Sequence, residues 1–396
     1  MNPATASEPL TTADLQSLLI DIRRHLHRHP EVGLQEHQTS AYLQHLLAEK
    51  GFTIQGPFAG TGFAVEIEGA HPGPLIGYRT ELDALPAPDA KSVPYASAAS
   101  GVAHLCGHDA HMAIAVGVAS LLQERRDRLR GSVRIIFQPN EENIPSGAPL
   151  MVADGAIEGM REIFCLHCEP NLEVGRFGLR SAAATAAAAS WMVHVFSAQA
   201  GHSARPHETI DTIWLASQIL NSFYQLPGRV HDARRSAVLT ACQFHAGEAM
   251  NVIPTEVRFG GTLRSIDIES LRLLSSKMND VVEHFGAFYK AEVLYEASLG
   301  VPAVINDAML IKSVGDTVLE IFGTEAVFRI PEPSMGGEDF AFYLEHIPGA
   351  LVRLGTRGNS ETGYPLHHSL FDIDERSLLL GAQLMSEVLI RRLAAA

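Results

Sequence analysis

Cysteine is scarce, at four residues in 396. That is too few to staple a chain of this length, so the fold must rest on buried apolar surface and the thiols are expected to be reduced. Positive charge is also short. Against 45 Asp and Glu stand 30 Lys and Arg, a net charge of −15, which repels phosphate backbones and anionic headgroups and argues against nucleic acid or membrane as partners. No stretch approaches the roughly 20 apolar residues that span a bilayer. Residues 1–18 carry no basic segment followed by an apolar one, so no leader is expected and the cytoplasm is the expected location. Core material is not lacking: 46% of residues are hydrophobic and 19% charged, the balance of an ordinary globular protein, and the length calls for two domains.

Thr12 can cap a helix in which Leu15, Leu18, Leu19, Ile22 and Leu26 recur at helical spacing, with Pro30 marking its end. It reads as a surface helix. His25, His27 and His29 on it imitate a metal site, but alternate helix positions point about 200° apart, so a shared ligand role is disfavoured. Short β-like runs follow at 63–67 and 75–78, then a helix near 110–122 and strands at 133–137 and 163–166. Strands alternating with helices predict an α/β layer whose functional loops gather at the carboxyl ends of the strands. After the Ala-rich run 181–190 the texture changes. Strands near 191–196, 238–244 and 256–263, with helices near 211–226 and 268–289, read as an inserted α+β domain. We place it at 186–299, leaving 1–185 and 300–396 as the two parts of the first domain, the second part holding a helix, a strand at 351–354 and a final helix.

Four places put thiol, imidazole or paired carboxylates just after a strand or in the adjoining loop. They are Cys106-Gly107-His108-Asp109-Ala110-His111, then Gln138-Pro139-Asn140-Glu141-Glu142, then Leu166-His167, then Leu366-His367-His368. Dispersed S, N and O donors of this mixture suit a catalytic zinc, manganese or cobalt centre with positions left open for water and substrate. Cys165 and Cys168 imitate a zinc-ribbon pair but have no second pair, and core packing is expected for both.

Taken together, these strings resemble the metal-dependent aminoacylase and carboxypeptidase family, in the branch of hippurate hydrolases, N-acyl-amino-acid amidohydrolases and auxin-conjugate hydrolases. The resemblance runs from His25-Leu26-His27-Arg28-His29-Pro30-Glu31 to Phe371. Between them stand Asp83-Ala84-Leu85-Pro86, the Cys-Gly-His-Asp-Ala-His string, Gly201-His202, Asn251-Val252-Ile253-Pro254, Gly261-Thr262-Leu263-Arg264 and Gly337-Glu338-Asp339-Phe340. It implies a catalytic domain with a central mixed sheet, an inserted lid and dimerisation domain, and a homodimer or higher homo-oligomer. It further implies two divalent ions held by Cys106, His108, Glu142, His167 and His367, with the Cys106 sulfur bridging and Glu141 as general base. Asp83 would orient a ligand histidine, His202 would reach a partner's site to stabilise the oxyanion, and Asn251 and Arg264 would help hold substrate. The expected substrate is a small N-acyl-L-amino acid, such as a hippurate-like conjugate. Arg264 can also be read as an ordinary strand-end surface charge.

Three positions depart from the family pattern: Asn140 where alanine is usual, Glu81 in place of the first aspartate of an Asp-x-Asp pair, and Asn143-Ile144-Pro145-Ser146 in place of a glycine-rich run. They leave the ligands intact and bear on the pocket. Adjacent glutamates on an extended segment face opposite ways, so Glu141 and Glu142 need a turn to serve one site. Rival readings are a metallocarboxypeptidase or dipeptidase, a Cys106–His108 thiol hydrolase, which leaves the other ligand types idle, and a catalytically dead binder of amino-acid conjugates.

Overall fold

The computed structural model describes residues 11–395. Residues 1–10, on which part of the leader expectation rests, lie outside the described residues. The chain divides into two compact units. The first runs to Ala182 and resumes over Ile305–Pro331 and from Phe342 onward, and the second comprises Ala183–Val304 and Glu332–Ala341.

The first unit is built on an eight-stranded mixed sheet ordered Ile54–Phe58, Gly62–Glu68, Arg130–Gln138, His71–Glu81, Met160–Glu173, Gly349–Arg357, Phe177–Leu179 and Val327–Arg329. Its four central strands run parallel. Parallel strands covered on both faces read as continuous apolar runs, and Val133, Ile135, Ile136 and Phe137, or Ile163, Phe164, Cys165 and Leu166, are all buried. The helix His108–Glu124 is buried almost all round and packs against the helices Thr12–Arg28 and Arg376–Ala394. Thr11, and not Thr12, caps the first helix, in a capping box with Asp14. That helix is more than a surface helix, because it also buries Arg23 and His27.

The second unit is a four-stranded antiparallel sheet ordered Ala237–Ala246, Glu256–Ser265, Ala187–Phe196 and Glu292–Leu299. Alternation sends Ala187, Ala189, Trp191, Val193 and Val195 into the core. There they meet Leu215, Ile219 and Phe223 of helix Thr212–Arg229 and Leu274 and Met278 of helix Ile268–Tyr289. Trp191 lies edge-on to Phe223 and Phe259, with ring centroids 5.4 and 6.0 Å away. The segment 332–341, which the sequence places in the returning part of the first domain, groups with this unit.

Candidate metal centre

Register brings the first unit's donors to one level. Glu81 pairs with Gln138 and Arg79 with Cys165, so the chain leaving two parallel strands, toward Asp83 and toward Glu141, emerges beside His167. His167 itself was expected just after a strand but lies inside one, because Met160–Glu173 extends beyond its neighbours. The helix His108–Glu124 starts at the same end. Gly107 caps it at φ 89°, and a Cβ there would come within 2.9 Å of Cys168 Sγ, so both conformation and space favour glycine. His367 lies between the parallel strand Gly349–Arg357 and the helix Arg376–Ala394 at φ 66°, its N–H donating to Leu105 O at 2.7 Å.

The donor atoms form two groups that share one sulfur. Cys106, His108 and His167 offer atoms within 4.8 Å of one another, and so do Cys106, Glu142 and His367. His167 Nε2 is 3.5 Å from Cys106 Sγ, and Glu142 Oε1 is 3.5 Å from His367 Nε2 and 3.9 Å from His108 Nε2. His108 Nε2 and Glu142 Oε1 are buried without a hydrogen-bond partner, a costly arrangement unless a cation lies between them. The second ring nitrogens are already used. His108 Nδ1 donates to Asp83 O at 2.8 Å and His167 Nδ1 to Cys168 O at 2.8 Å, which fixes both tautomers with Nε2 as the free lone pair.

Electrostatics agrees with a cation. Burial, reinforced by Glu142, pushes the Cys106 thiol well above its usual range, so a thiolate there needs positive charge close by. Burial and the nearby Arg353 hold His167 far below the ordinary histidine value, leaving the imidazole neutral as a ligand must be. Burial also opposes charge on His108, but Asp83 and Cys106 outweigh it and raise that residue. The residues thus fit a pair of divalent ions in donor type and arrangement.

Glu141 Oε2 stands 4.0 Å from His108 Nε2. The turn that Glu141 and Glu142 require is made by Asn140 at φ 55°, a left-handed conformation that asparagine tolerates better than alanine. Its N–H donates to the buried Glu36 at 2.9 Å, its side chain donates to Pro145 O and accepts from Asn143, and its carbonyl accepts from Gly147 N–H. A Cβ on Gly33 would come within 2.0 Å of Asn140 Oδ1. Asp83 acts through two groups: its backbone carbonyl orients His108, while Oδ2 accepts the Glu142 N–H at 2.9 Å.

His202, Asn251 and Arg264 belong to the second unit. His202 pairs with Val252 in a two-stranded ribbon, and Asn251 O accepts the Ser203 N–H. His202 is exposed, and its Nδ1 accepts the Ala204 N–H at 3.1 Å, so the ring proton sits on Nε2. Arg264 is half-buried, donating to Met335 O at 2.9 Å.

His27 diverges from its neighbours as expected: it is buried, while His25 stacks on Tyr42 and has its ring 4.9 Å from that of His29. His27 Nδ1 lies 2.7 Å from Asp109, which also takes Arg23 Nε at 2.8 Å. Burial disfavours a charge on Asp109, yet Arg23 and His27 hold it well below the usual carboxylate range. Asp109 thus points away from the donors and ties the start of their helix to the first helix. Sequence reasoning did not find this ion network, nor His104, which is buried and pushed down to about 3 by that burial. The one signal in the sequence was Asp109, a carboxylate in the first turn of a largely apolar helix. Cys165 and Cys168 are buried thiols, neither in a disulfide, as core packing required.

Residues 77–391 match the model of peptidase family M20/M25/M40. A probable hydrolase of Synechocystis sp. is 41% identical over 93% of this chain and 94% of its own length. An N-acetyl-L-cysteine deacetylase of Bacillus subtilis is 35% identical over 96% and 89%. The crystal structure of a dinuclear metal-binding peptidase of the M20 family, also from Bacillus subtilis, superposes with a TM-score of 0.85 at 32% identity, covering 98% of this chain and 100% of that one.

Proposed function

The chain belongs to peptidase family M20/M25/M40 and is a metal-dependent hydrolase of amide bonds with a two-metal centre, and from that premise we propose that it cleaves N-acyl-L-amino acids to a carboxylic acid and a free amino acid. What carries the reading is the pair of donor groups sharing the Cys106 sulfur, with the Glu141 carboxylate beside them. The likeness to an N-acetyl-L-cysteine deacetylase over nearly the whole chain supports the substrate class.

Cys106, His108, Glu142, His167 and His367 would hold the ions, Cys106 being the residue that belongs to both donor groups. Manganese, zinc or cobalt suits this mixture of sulfur, nitrogen and oxygen. When bound, two such ions acidify a water and polarise the scissile carbonyl. Glu141 takes the proton of the attacking water and returns it to the leaving nitrogen, so the amine departs neutral. Asp83 holds His108 in one tautomer and the Glu142 backbone in place. The second unit, acting as lid and dimer interface, supplies the rest. Its His202 donates the Nε2 proton to the developing oxyanion of the partner subunit's substrate, and Asn251 and the guanidinium of Arg264 help bind the amino-acid carboxylate. The working protein is a homodimer or larger homo-oligomer in the cytoplasm.

The test is a matrix of acyl groups and amino acids, with dipeptides alongside, assayed on metal-reconstituted enzyme. Acetyl and benzoyl amino acids should exceed dipeptides of the same carboxyl-terminal residue in kcat/KM. The reverse order would make this a carboxypeptidase or dipeptidase, and binding without turnover would make it a carrier.

A further inference from the structure

His111 closes the Cys-Gly-His-Asp-Ala-His string, is buried, and has its donors close enough to those of His108 and Glu81 to suggest a third ligand triad. Its own bonds exclude that role. The Cys168 N–H donates to Nε2 at 2.9 Å, so Nε2 is an acceptor and the ring proton sits on Nδ1, 2.9 Å from Glu81 Oε2. The other oxygen of Glu81 accepts from Arg79 Nη1, and Arg79 Nε donates to Gln138 Oε1 at 2.9 Å. Burial disfavours charge on Glu81, but Arg79 and His111 overcome it and hold the group well below the usual carboxylate range.

The polarity of every link is forced, because a guanidinium and a backbone N–H can only donate and a carboxylate can only accept. The line ends at a ligand. The residue whose N–H is held by His111 is Cys168, and its carbonyl is the acceptor that fixes His167 Nδ1. Both faces of this one backbone residue are therefore gripped, one from inside the protein and one by the proposed ligand. An aspartate at position 81 is one methylene, about 1.5 Å, shorter, and could not bridge Arg79 and His111 in the same geometry. The glutamate that departs from the family pattern thus has a use.

We propose that Arg79, Glu81 and His111 are positioning residues that set the tautomer and tilt of His167, and so govern cation binding in the Cys106–His108–His167 group and not in the group of Cys106, Glu142 and His367. The proposal rests on His167 being a ligand. Metal-free protein is titrated with cobalt(II) alone, following thiolate-to-cobalt absorption under chelator competition, for wild type and for His111→Leu, His111→Gln, Glu81→Asp and His167→Ala. Wild type should bind in two steps. His111→Leu and Glu81→Asp should weaken one step by about 10–100-fold, the usual cost of losing an outer partner of a ligand. It should be the step that His167→Ala removes, with the other unchanged. His111→Gln, which can still accept from the Cys168 N–H, should recover most of the loss. If His111→Leu lowers only the melting temperature of the metal-free protein, or weakens both steps alike, the relay is refuted while the ligand assignment stands. Should His111→Leu not fold, Glu81→Asp decides between the same two outcomes. If His167→Ala leaves both steps intact, the ligand assignment fails and the relay falls with it.

Discussion

Between Ala183 and Val304 the one ionisable side chain buried among the described residues is His231, and the segment 332–341 that groups with it adds Glu338 and Asp339, whereas the first unit buries Arg23, His27, Arg79, Glu81, Asp83 and Asp109, among others. The second unit's core is a packed set of aromatic and aliphatic side chains, and its candidate residues His202 and Asn251 stand exposed on a surface ribbon. The first unit's donors instead sit on an interior of paired charges that fixes tautomers and backbone carbonyls. On the proposed roles, the difference follows from task. Ligands for a cation must be held to within a fraction of an ångström, and buried charge pairs do this with direction that apolar packing lacks. A residue that meets a substrate from a lid needs only a well-ordered backbone beneath it.

The largest effect expected is on the first unit. Chelation should abolish activity, and manganese, cobalt or zinc should restore it. Full turnover by protein shown by elemental analysis to be metal-free would break the comparison at its root. Glu141→Gln keeps the shape but cannot take the proton, so kcat should fall by about 10²–10⁴, with metal content near normal. If this variant loses metal and Glu142→Gln keeps it, the two glutamates have exchanged roles.

A smaller effect is expected from the second unit. His202→Ala should lose about 10²–10³ in rate, the worth of one oxyanion donor, with no change in bound metal. Mixed under subunit exchange with Glu141→Ala, it should recover toward about one quarter of wild-type activity, since half the dimers mix and each has one intact site of two. No recovery despite proven exchange means His202 acts within its own chain or not at all.

Stability sharpens the contrast further. Phe223→Ala should cost the second unit about 3–5 kcal/mol, read by chemical denaturation, and should not change metal affinity of the folded protein. Asp109→Asn leaves the buried Arg23 short of a partner, at a cost of about 3–5 kcal/mol, and should weaken metal binding as well because the ligand-bearing helix loses its anchor. The smallest effect is with pH. Asp109 and Asp372 are held low chiefly by Arg23 acting against burial. Their contribution is therefore complete above the ordinary aspartate range and is lost as pH falls below about 4 through their depressed values. Denaturation followed from pH 6 to pH 3 should show the first unit weakening while Trp191 fluorescence, a reporter of the second core, changes little. Equal loss in both would mean buried charge does not distinguish them.

Patterned elements were legible from sequence. The strands around Val133 and Trp191 and the helix Ile268–Tyr289 follow apolar periodicity, and the family strings pointed to the donors. The helix His37–Glu49 escaped because no side chain caps it and its apolar stripe is weak, and Glu292–Leu299 escaped because it is a largely exposed edge strand. The ion network under the donors was illegible for a different reason. Its members are far apart in sequence, with Arg23 and Asp109 separated by 86 positions and Arg23 and Asp372 by 349, and charge carries no periodicity that reveals a partner. Asn140 was visible only as a departure, and its backbone angle gives the reason for it.

The close fit of Gly33 against Asn140 sets an order on change. Alanine at 33 collides while asparagine stands at 140, since its Cβ falls 2.0 Å from Oδ1 and 2.8 Å from Asn143 Nδ2. Once position 140 is alanine, the first obstacle is gone and Asn143, exposed and released from its partner, can swing aside. The route is thus ordered in both directions. Position 140 has to yield before position 33 can acquire a side chain, and a lineage that has taken both steps cannot regain asparagine without first surrendering the newer residue. An engineer grafting this turn into another member of the family would have to carry glycine with it.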